Sequence, residues 1–389
     1  MATYLSKRMS SVQPAVIPTI SELIRQTPDT VSLGQGVVFY PPPPKVLASI
    51  ISFGENQTEH YYQSANGLPE LIDALTIKLK FENSINVNEN HTIMVTAGSN
   101  MAFYYCLLAI TDPGDEIIIS TPYYFNHEMA ISMANCKAIT VPTHKDYQLD
   151  INALRSAITY RTRAIITISP NNPTGAVYPT KKLEQINKLC LQKNIYHISD
   201  EAYEHFTFDG VKHVSPGSFA DSNQHTISLF SFSKSYGLAS WRIGYLVAPS
   251  HIRSSLEKAQ DTVLICPSVI SQRAAIEALR VGRSHFYPHI QTLSHSRKLC
   301  LHYLAQLDNR VSTPIPLGAF YILSKIDTDL KAFDLVEKLI KQYRVAVIPG
   351  EAFGLHDGCY IRIAFGALKK DTLTIGMERL IQGLKKFTS

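Results

Sequence analysis

Several short polar clusters in this chain combine residue types that can do chemistry. Ser231-Phe232-Ser233-Lys234 closes an apolar run; a lone loop lysine is ordinarily a solvated charge, but it turns nucleophilic if desolvation and nearby cations depress its pKa. Arg242 follows eight residues later. Asp200 comes after the largely apolar Ile195-Tyr196-His197-Ile198. A carboxylate buried at such a strand end is costly unless something pairs with it, although it could also cap a helix. Gly98-Ser99-Asn100 stands before the apolar segment Met101–Ile110, and free N–H groups at a helix start favour an anion. The same tripeptide is also an ordinary capping sequence. Asn172 lies in Asn171-Asn172-Pro173-Thr174-Gly175, which a plain Asn-Pro turn would satisfy. Arg362, in Tyr360-Ile361-Arg362-Ile363-Ala364, has the setting of a strand arginine that ordinarily faces solvent.

Other chemistries are excluded by missing companions. Ser231-x-x-Lys234 fits the signature of serine β-lactamases and penicillin-binding proteins, but their S-D-N and K-T-G elements are absent. His127-Glu128 is no zinc motif, because position 131 is isoleucine. Leu33-Gly34-Gln35-Gly36 lacks the third glycine of a dinucleotide fingerprint. No metal site is expected.

The elements that must position these groups read as an α/β pattern. Strand-like runs cover Thr92–Thr96, Glu116–Ser120, Ala138–Pro142, Ala164–Ser169, Ile195–Ser199, Thr226–Phe232 and Gly244–Ala248. Helical stretches near 124–134 and 181–193 separate some of them, and Met101–Ile110 reads as a buried helix. Leu68, Leu71, Ile72, Leu75 and Leu79 share one helical face, with Pro69 in the first turn. Strands alternating with helices predict a mostly parallel sheet sandwiched by helices. Ligands then bind beyond the carboxyl ends of the strands, where the polar clusters repeatedly fall. Pro41–Pro44 reads as a stiff connector, with an SH3-type ligand as the alternative. Strand-like runs at Tyr343–Ile348 and Tyr360–Ala364, then a helix with Leu373, Met377, Leu380, Ile381 and Leu384 on one face, suggest a smaller α+β domain. The expected division is 46–280 as the large domain, and 1–45 plus 281–389 as an N-terminal arm and the smaller domain.

The 389 residues suffice for two cores, and 45% apolar with 18% charged content is ordinary for a globular protein. The net charge of +5 comes with short, dispersed basic pairs, so nucleic acid is not an expected partner. Six scattered cysteines without a C-x-x-C pair read as reduced core residues. The opening Met-Ala-Thr-Tyr-Leu-Ser-Lys-Arg lacks the apolar core of a signal peptide, and no run reaches membrane-spanning length. The expectation is a cytoplasmic protein with no membrane partner.

Taken together, the clusters resemble fold-type I, class I/II pyridoxal-5′-phosphate (PLP) dependent aminotransferases. The match runs from about Leu33 to Arg362, and its most specific parts are Asn171-Asn172-Pro173-Thr174-Gly175, Asp200-Glu201-Ala202-Tyr203 and Ser231-x-x-Lys234 with Arg242. The resemblance implies that Lys234 carries the cofactor as a Schiff base and, once freed, acts as general base in a ping-pong transfer of the amino group to a 2-oxo acid. It implies that Asp200 pairs with the pyridine nitrogen, that Tyr203 and Asn172 bond the 3′-oxygen, and that Tyr124 stacks on the ring. Gly98, Ser99, Asn100, Ser231 and Arg242 would hold the phosphate. Tyr62, in Tyr62-Gln63-Ser64-Ala65-Asn66-Gly67, would reach the neighbouring subunit's phosphate in a homodimer; otherwise it is a core residue. Arg362 would clamp the substrate α-carboxylate in the bidentate geometry a guanidinium suits, with Gly36 and Asn172 beside it.

Two positions depart from the family pattern: Val37-Val38 replaces a common Pro-Asp pair, and Ser169 replaces a common asparagine. The first borders the substrate entrance. Leu33-Gly34-Gln35-Gly36 with Phe39 and the prolines resembles the kynurenine, glutamine, methionine and aromatic aminotransferase branch. Tyr40, Tyr61 and Tyr123 could add an aromatic pocket, so aromatic or other neutral amino acids are expected before aspartate. A PLP-dependent cysteine-S-conjugate-type β-lyase uses the same residues and is the alternative reaction. A PLP-binding regulatory protein without turnover is a further one.

Overall fold

The computed structural model describes residues 6–388; Met1–Leu5, part of the stretch read for a leader, lie outside the described residues, as does Ser389. The first strand, β1 (Val31–Ser32), is short and pairs elsewhere in the chain. Seven strands then build the central sheet: β2 (His91–Thr96), β3 (Glu116–Thr121), β4 (Lys137–Pro142), β5 (Thr162–Ile168), β6 (Tyr196–Asp200), β7 (Thr226–Ser231) and β8 (Gly244–Pro249). Their order is β2-β8-β7-β6-β5-β3-β4, and only β8 runs against the rest. The sheet is mostly parallel, as expected.

Side-chain alternation explains its two covered faces. Ile117 and Ile119 of β3 join a core with Phe103 and Leu107 of the helix Ser99–Ile110, whereas Ile118 between them joins Leu183 and Ile186 on the other face. The helix Pro69–Glu82 starts on a proline whose missing N–H costs nothing there, and it buries Leu71, Leu75 and Leu79. Each such leucine contributes roughly 1.5–3 kcal/mol over an exposed one.

A second sheet is antiparallel. Strands β9 (Val311–Ser312), β10 (Tyr321–Ile326), β12 (Ile348–Pro349) and β13 (Cys359–Ala364) take the order β12-β13-β10-β9, while β11 (Val345–Ala346) pairs with β1. Its core partners include the helices Arg283–Leu304, Ala332–Tyr343 and Lys370–Phe387.

Three readings of the sequence need correction here. Tyr343–Ile348 is not one strand: Tyr343 ends a helix, Arg344 turns left-handed at φ 56°, and the remainder divides between two sheets. The buried stripe Leu335, Val336, Leu339 and Ile340 carries the helix through Tyr343, so packing overrides the local strand preference. Pro44 opens the helix Pro44–Ser49 rather than prolonging a polyproline connector. The strand containing Arg362 lies inside its sheet, between β10 and β12, and Arg362 is 3% exposed rather than solvated.

Candidate active site

The polar clusters meet at one edge of the central sheet, where β6 ends on Asp200, β7 on Ser231 and β2 just before Ala97-Gly98, and where the reversed β8 begins. This is the carboxyl edge of the parallel strands, where loops are free to carry binding groups. Two adjoining cavities open there and share Tyr124, Asn172, Tyr203 and Lys234. The smaller, about 100 Å³, is lined also by Ser99, Asn100, Asp200, Ser231, Ser233 and Arg242. The larger, about 330 Å³, adds Gly36, Tyr321, Arg362 and the inner face of the helix Val16–Arg25.

Lys234 is partly buried between the cavities, and its Nζ donates to the Gly36 carbonyl at 2.5 Å. Burial, then the cations Arg362 and Arg242, push its pKa down to about 8, with Asp200 opposing. Asp200 is buried; its Oδ1 accepts from the Ala202 N–H at 3.1 Å, and its Oδ2 lies 3.1 Å from His127 Nε2 without a hydrogen-bonding angle. Tyr203 and Tyr321 join their hydroxyls at 2.7 Å, and burial raises both phenols, Tyr321 to about 12. The Tyr124 hydroxyl accepts from Asn126 at 2.8 Å and reaches Asn100 Oδ1 at 3.5 Å.

Arg242 holds the Ala239 carbonyl through Nη1 at 2.8 Å and stands beside the start of the helix Ser99–Ile110. Gly98, at φ 84°, makes room for it: a Cβ there would come within 2.5 Å of Arg242 Nη2. The first N–H groups of that helix have no intrahelical partners, so arginine and helix start together form an anion cradle. Arg362 donates from Nη1 to Asn172 Oδ1 at 2.9 Å and from Nη2 to the Gly34 carbonyl at 2.7 Å, while its buried Nε has no partner. Its guanidinium lies 4.5 Å from the Tyr321 ring centroid. A buried cation held by neutral groups, with a donor to spare, invites an anion.

Tyr62 stands apart from both cavities and is 79% exposed, so within one chain it is neither a site residue nor core. Nor do Tyr40, Tyr61 and Tyr123 line the larger cavity: Tyr61 is exposed, Tyr123 packs on Gly354, and Tyr40 lies under the Lys234 loop. The aromatic lining comes instead from Tyr124, Phe125, Tyr203 and Tyr321. Tyr321, His127 and the helix Val16–Arg25 were not legible as site elements. Tyr321 belongs to an apolar strand without a motif, and the helix reaches the cavity from far away in sequence.

The smaller cavity has an anion cradle, a buried carboxylate, an aromatic wall and an amine, which suit PLP; the arginine beyond suits a carboxylate substrate. Fold and site thus define a PLP-dependent enzyme of amino-acid chemistry. Residues 28–380 match the model for "Aminotransferase class I and II". Over 98% of both chains, the protein is 34% identical to an aspartate aminotransferase of Pyrococcus abyssi and 32% identical to aromatic-amino-acid aminotransferase 2 of Thermococcus litoralis. The crystal structure of an aromatic aminotransferase from Pyrococcus horikoshii superposes with a TM-score of 0.87 at 34% identity, covering 94% of this chain and 99% of that one. The chain belongs to the class I and II aminotransferase family. It is a PLP-dependent transaminase acting on an amino acid and a 2-oxo acid, which sets aside the β-lyase and non-catalytic alternatives.

Proposed function

We propose that the enzyme prefers amino donors with aromatic or other neutral side chains. The observation that carries this is the larger cavity's lining, in which Ile17, Ile20, Ile24, Val37, Phe125 and Ile348 surround the single guanidinium of Arg362. One cation suffices for an α-carboxylate. The other cation in the lining, Lys234, is the reacting amine, so a second carboxylate would meet the apolar wall with Ser21, Ser32 and Gln35 as neutral polar neighbours and no guanidinium of its own. Val37, where the family commonly has proline, adds to the apolar wall. The test is a donor panel with keto-acid products measured. Phenylalanine, tyrosine and methionine should exceed aspartate in kcat/KM by at least about tenfold; aspartate as the better donor would overturn the preference.

In this reading Ser99, Asn100, Ser231 and Arg242, with Gly98 giving room, hold the phosphate of PLP. Asp200 takes its ring nitrogen, Asn172 and Tyr203 its 3′-oxygen, and Tyr124 its ring face. When bound, PLP supplies an electron sink for the pair left at the substrate Cα. Arg362 fixes the substrate carboxylate, and Gly36 approaches it through its backbone. The Lys234 amine, its basicity lowered by burial and two arginines, takes the proton from Cα. The isoleucines of the helix Val16–Arg25 keep water from that proton.

We also propose a homodimer in which Tyr62 reaches the partner's phosphate site. Its exposure beside exposed Tyr61 supports this. So does the Gln63 N–H lying 3.5 Å from Cys266 Sγ, which joins the segment to exposed Val263 and Ile265. The division at 46–280 remains the proposed domain boundary. Six free cysteines, and no helix among the described residues long and apolar enough to cross a membrane, support the cytoplasm as location.

A further inference from the structure

Tyr40 belongs to a strap, residues 34–41, that touches the catalytic groups at several points. The Gly34 carbonyl accepts from Arg362, and the Gly36 carbonyl accepts from Lys234 Nζ. At its far end the Tyr40 hydroxyl lies 3.3 Å from the Lys234 main-chain carbonyl and 3.2 Å from that of Ser235. These contacts span 194 and 195 residues of sequence. Burial raises the phenol, so at neutral pH the hydroxyl keeps its proton and donates.

The ring is held as firmly as the hydroxyl. Tyr40 is 5% exposed and stacks on His289 at 4.0 Å with 12° between the planes. His285 meets its edge at 5.5 Å. Both histidines lie on the helix Arg283–Leu304, so one tyrosine links that helix to the Lys234 turn. Within the turn the Lys234 carbonyl accepts from the Gly237 N–H at 3.3 Å, the Ser231 hydroxyl from the Ser233 N–H at 3.1 Å and the Phe232 carbonyl from the Leu238 N–H at 3.4 Å, so Tyr40 adds a side-chain anchor from a distant segment. Gly237, at φ 65°, lets the strap close in, since a Cβ there would lie 3.0 Å from the Tyr40 carbonyl.

We propose that Tyr40 is a positioning residue for Lys234, its hydroxyl and stacked ring fixing the turn from which the amine reaches the substrate Cα. The proposal rests on the assignment of Lys234 as the base. Proton transfer is sensitive to donor–acceptor placement, so an unfixed main chain slows that step more than it weakens binding.

The test is the holoenzyme of Tyr40→Phe, which keeps the ring and removes one hydroxyl. In single turnovers with a phenylalanine donor, the half-reaction should slow by about three- to tenfold, the scale of one lost neutral hydrogen bond. The isotope effect with Cα-deuterated donor should rise, and KM should stay within about twofold. A slowed reaction with an unchanged isotope effect and a lower melting temperature would overturn the proposal, as would parental behaviour in both. His289→Leu keeps the hydroxyl but removes the stack; a smaller slowing, again with a raised isotope effect, supports the proposal, and parental values count against it. Lys234→Ala separates the two claims. If it retains proton transfer, the assignment of Lys234 and the proposal fall together; if it is inactive while Tyr40→Phe is parental, only the proposal falls.

Discussion

Arg362 and Lys234 line one cavity, where burial lowers the proton affinity of both and the Arg362 guanidinium lowers that of Lys234 further. For Lys234 the sign is favourable. An amine is nucleophilic only when neutral, and a pKa near 8 instead of 10.5 gives a substantial neutral fraction at mild alkaline pH. In cofactor-free protein, labelling of Lys234 by trinitrobenzenesulfonate should therefore rise as pH climbs through about 8; a rise only above pH 10 would contradict this. Arg362 is a matter of geometry as well as charge. Two of its nitrogens are committed to Asn172 and Gly34 and the third is unpartnered, an arrangement no ammonium reproduces. Arg362→Lys should lower kcat/KM by about a hundredfold, on the order of two charge-assisted hydrogen bonds, while PLP affinity stays within about threefold. Steady-state kinetics and a PLP titration separate the two effects.

At the level of elements, the start of the helix Ser99–Ile110 is the feature that turns a strand end into an anion site. Its apolar body is buried against the sheet, which holds the helix start toward Arg242. Gly98 makes the turn at a positive φ and leaves space for that guanidinium. Gly98→Ala imposes backbone strain of about 1–2 kcal/mol and pushes the arginine aside. PLP affinity should fall by at least about tenfold, with a Tm decrease of only a few degrees; a fall in Tm without loss of affinity would show that the glycine serves the fold alone.

For the whole molecule, the exposed Tyr62 makes a prediction that no single chain can satisfy. If Tyr62 acts across an interface, a hybrid dimer of one Tyr62→Ala and one Lys234→Ala subunit contains one fully intact site. Mixed and re-equilibrated, these two weak parents should yield hybrids with wild-type PLP affinity in half of their sites. Absence of recovery, with dimers confirmed by sedimentation, would confine Tyr62 to its own chain.

The residues proposed to hold the cofactor could be picked out in the sequence because most sit in short polar runs next to a strand, and the structure brings them to one cavity. Asp200, Asn172, Lys234 and Arg242 stand out by their joint resemblance to the family's motifs, since each alone also fits an ordinary cap, turn or solvated charge, and the central strands follow from their alternation with helices. Contacts between distant parts of the chain were not legible. Tyr321 meets Tyr203, the isoleucines of Val16–Arg25 wall the larger cavity, and Tyr40 turns from the expected substrate pocket to the back of the lysine loop. Local sequence determined the chemistry, because the type of a side chain and its place at a strand end are local properties. Only tertiary packing decided what surrounds that chemistry, because burial and contact are set by which distant elements close over it.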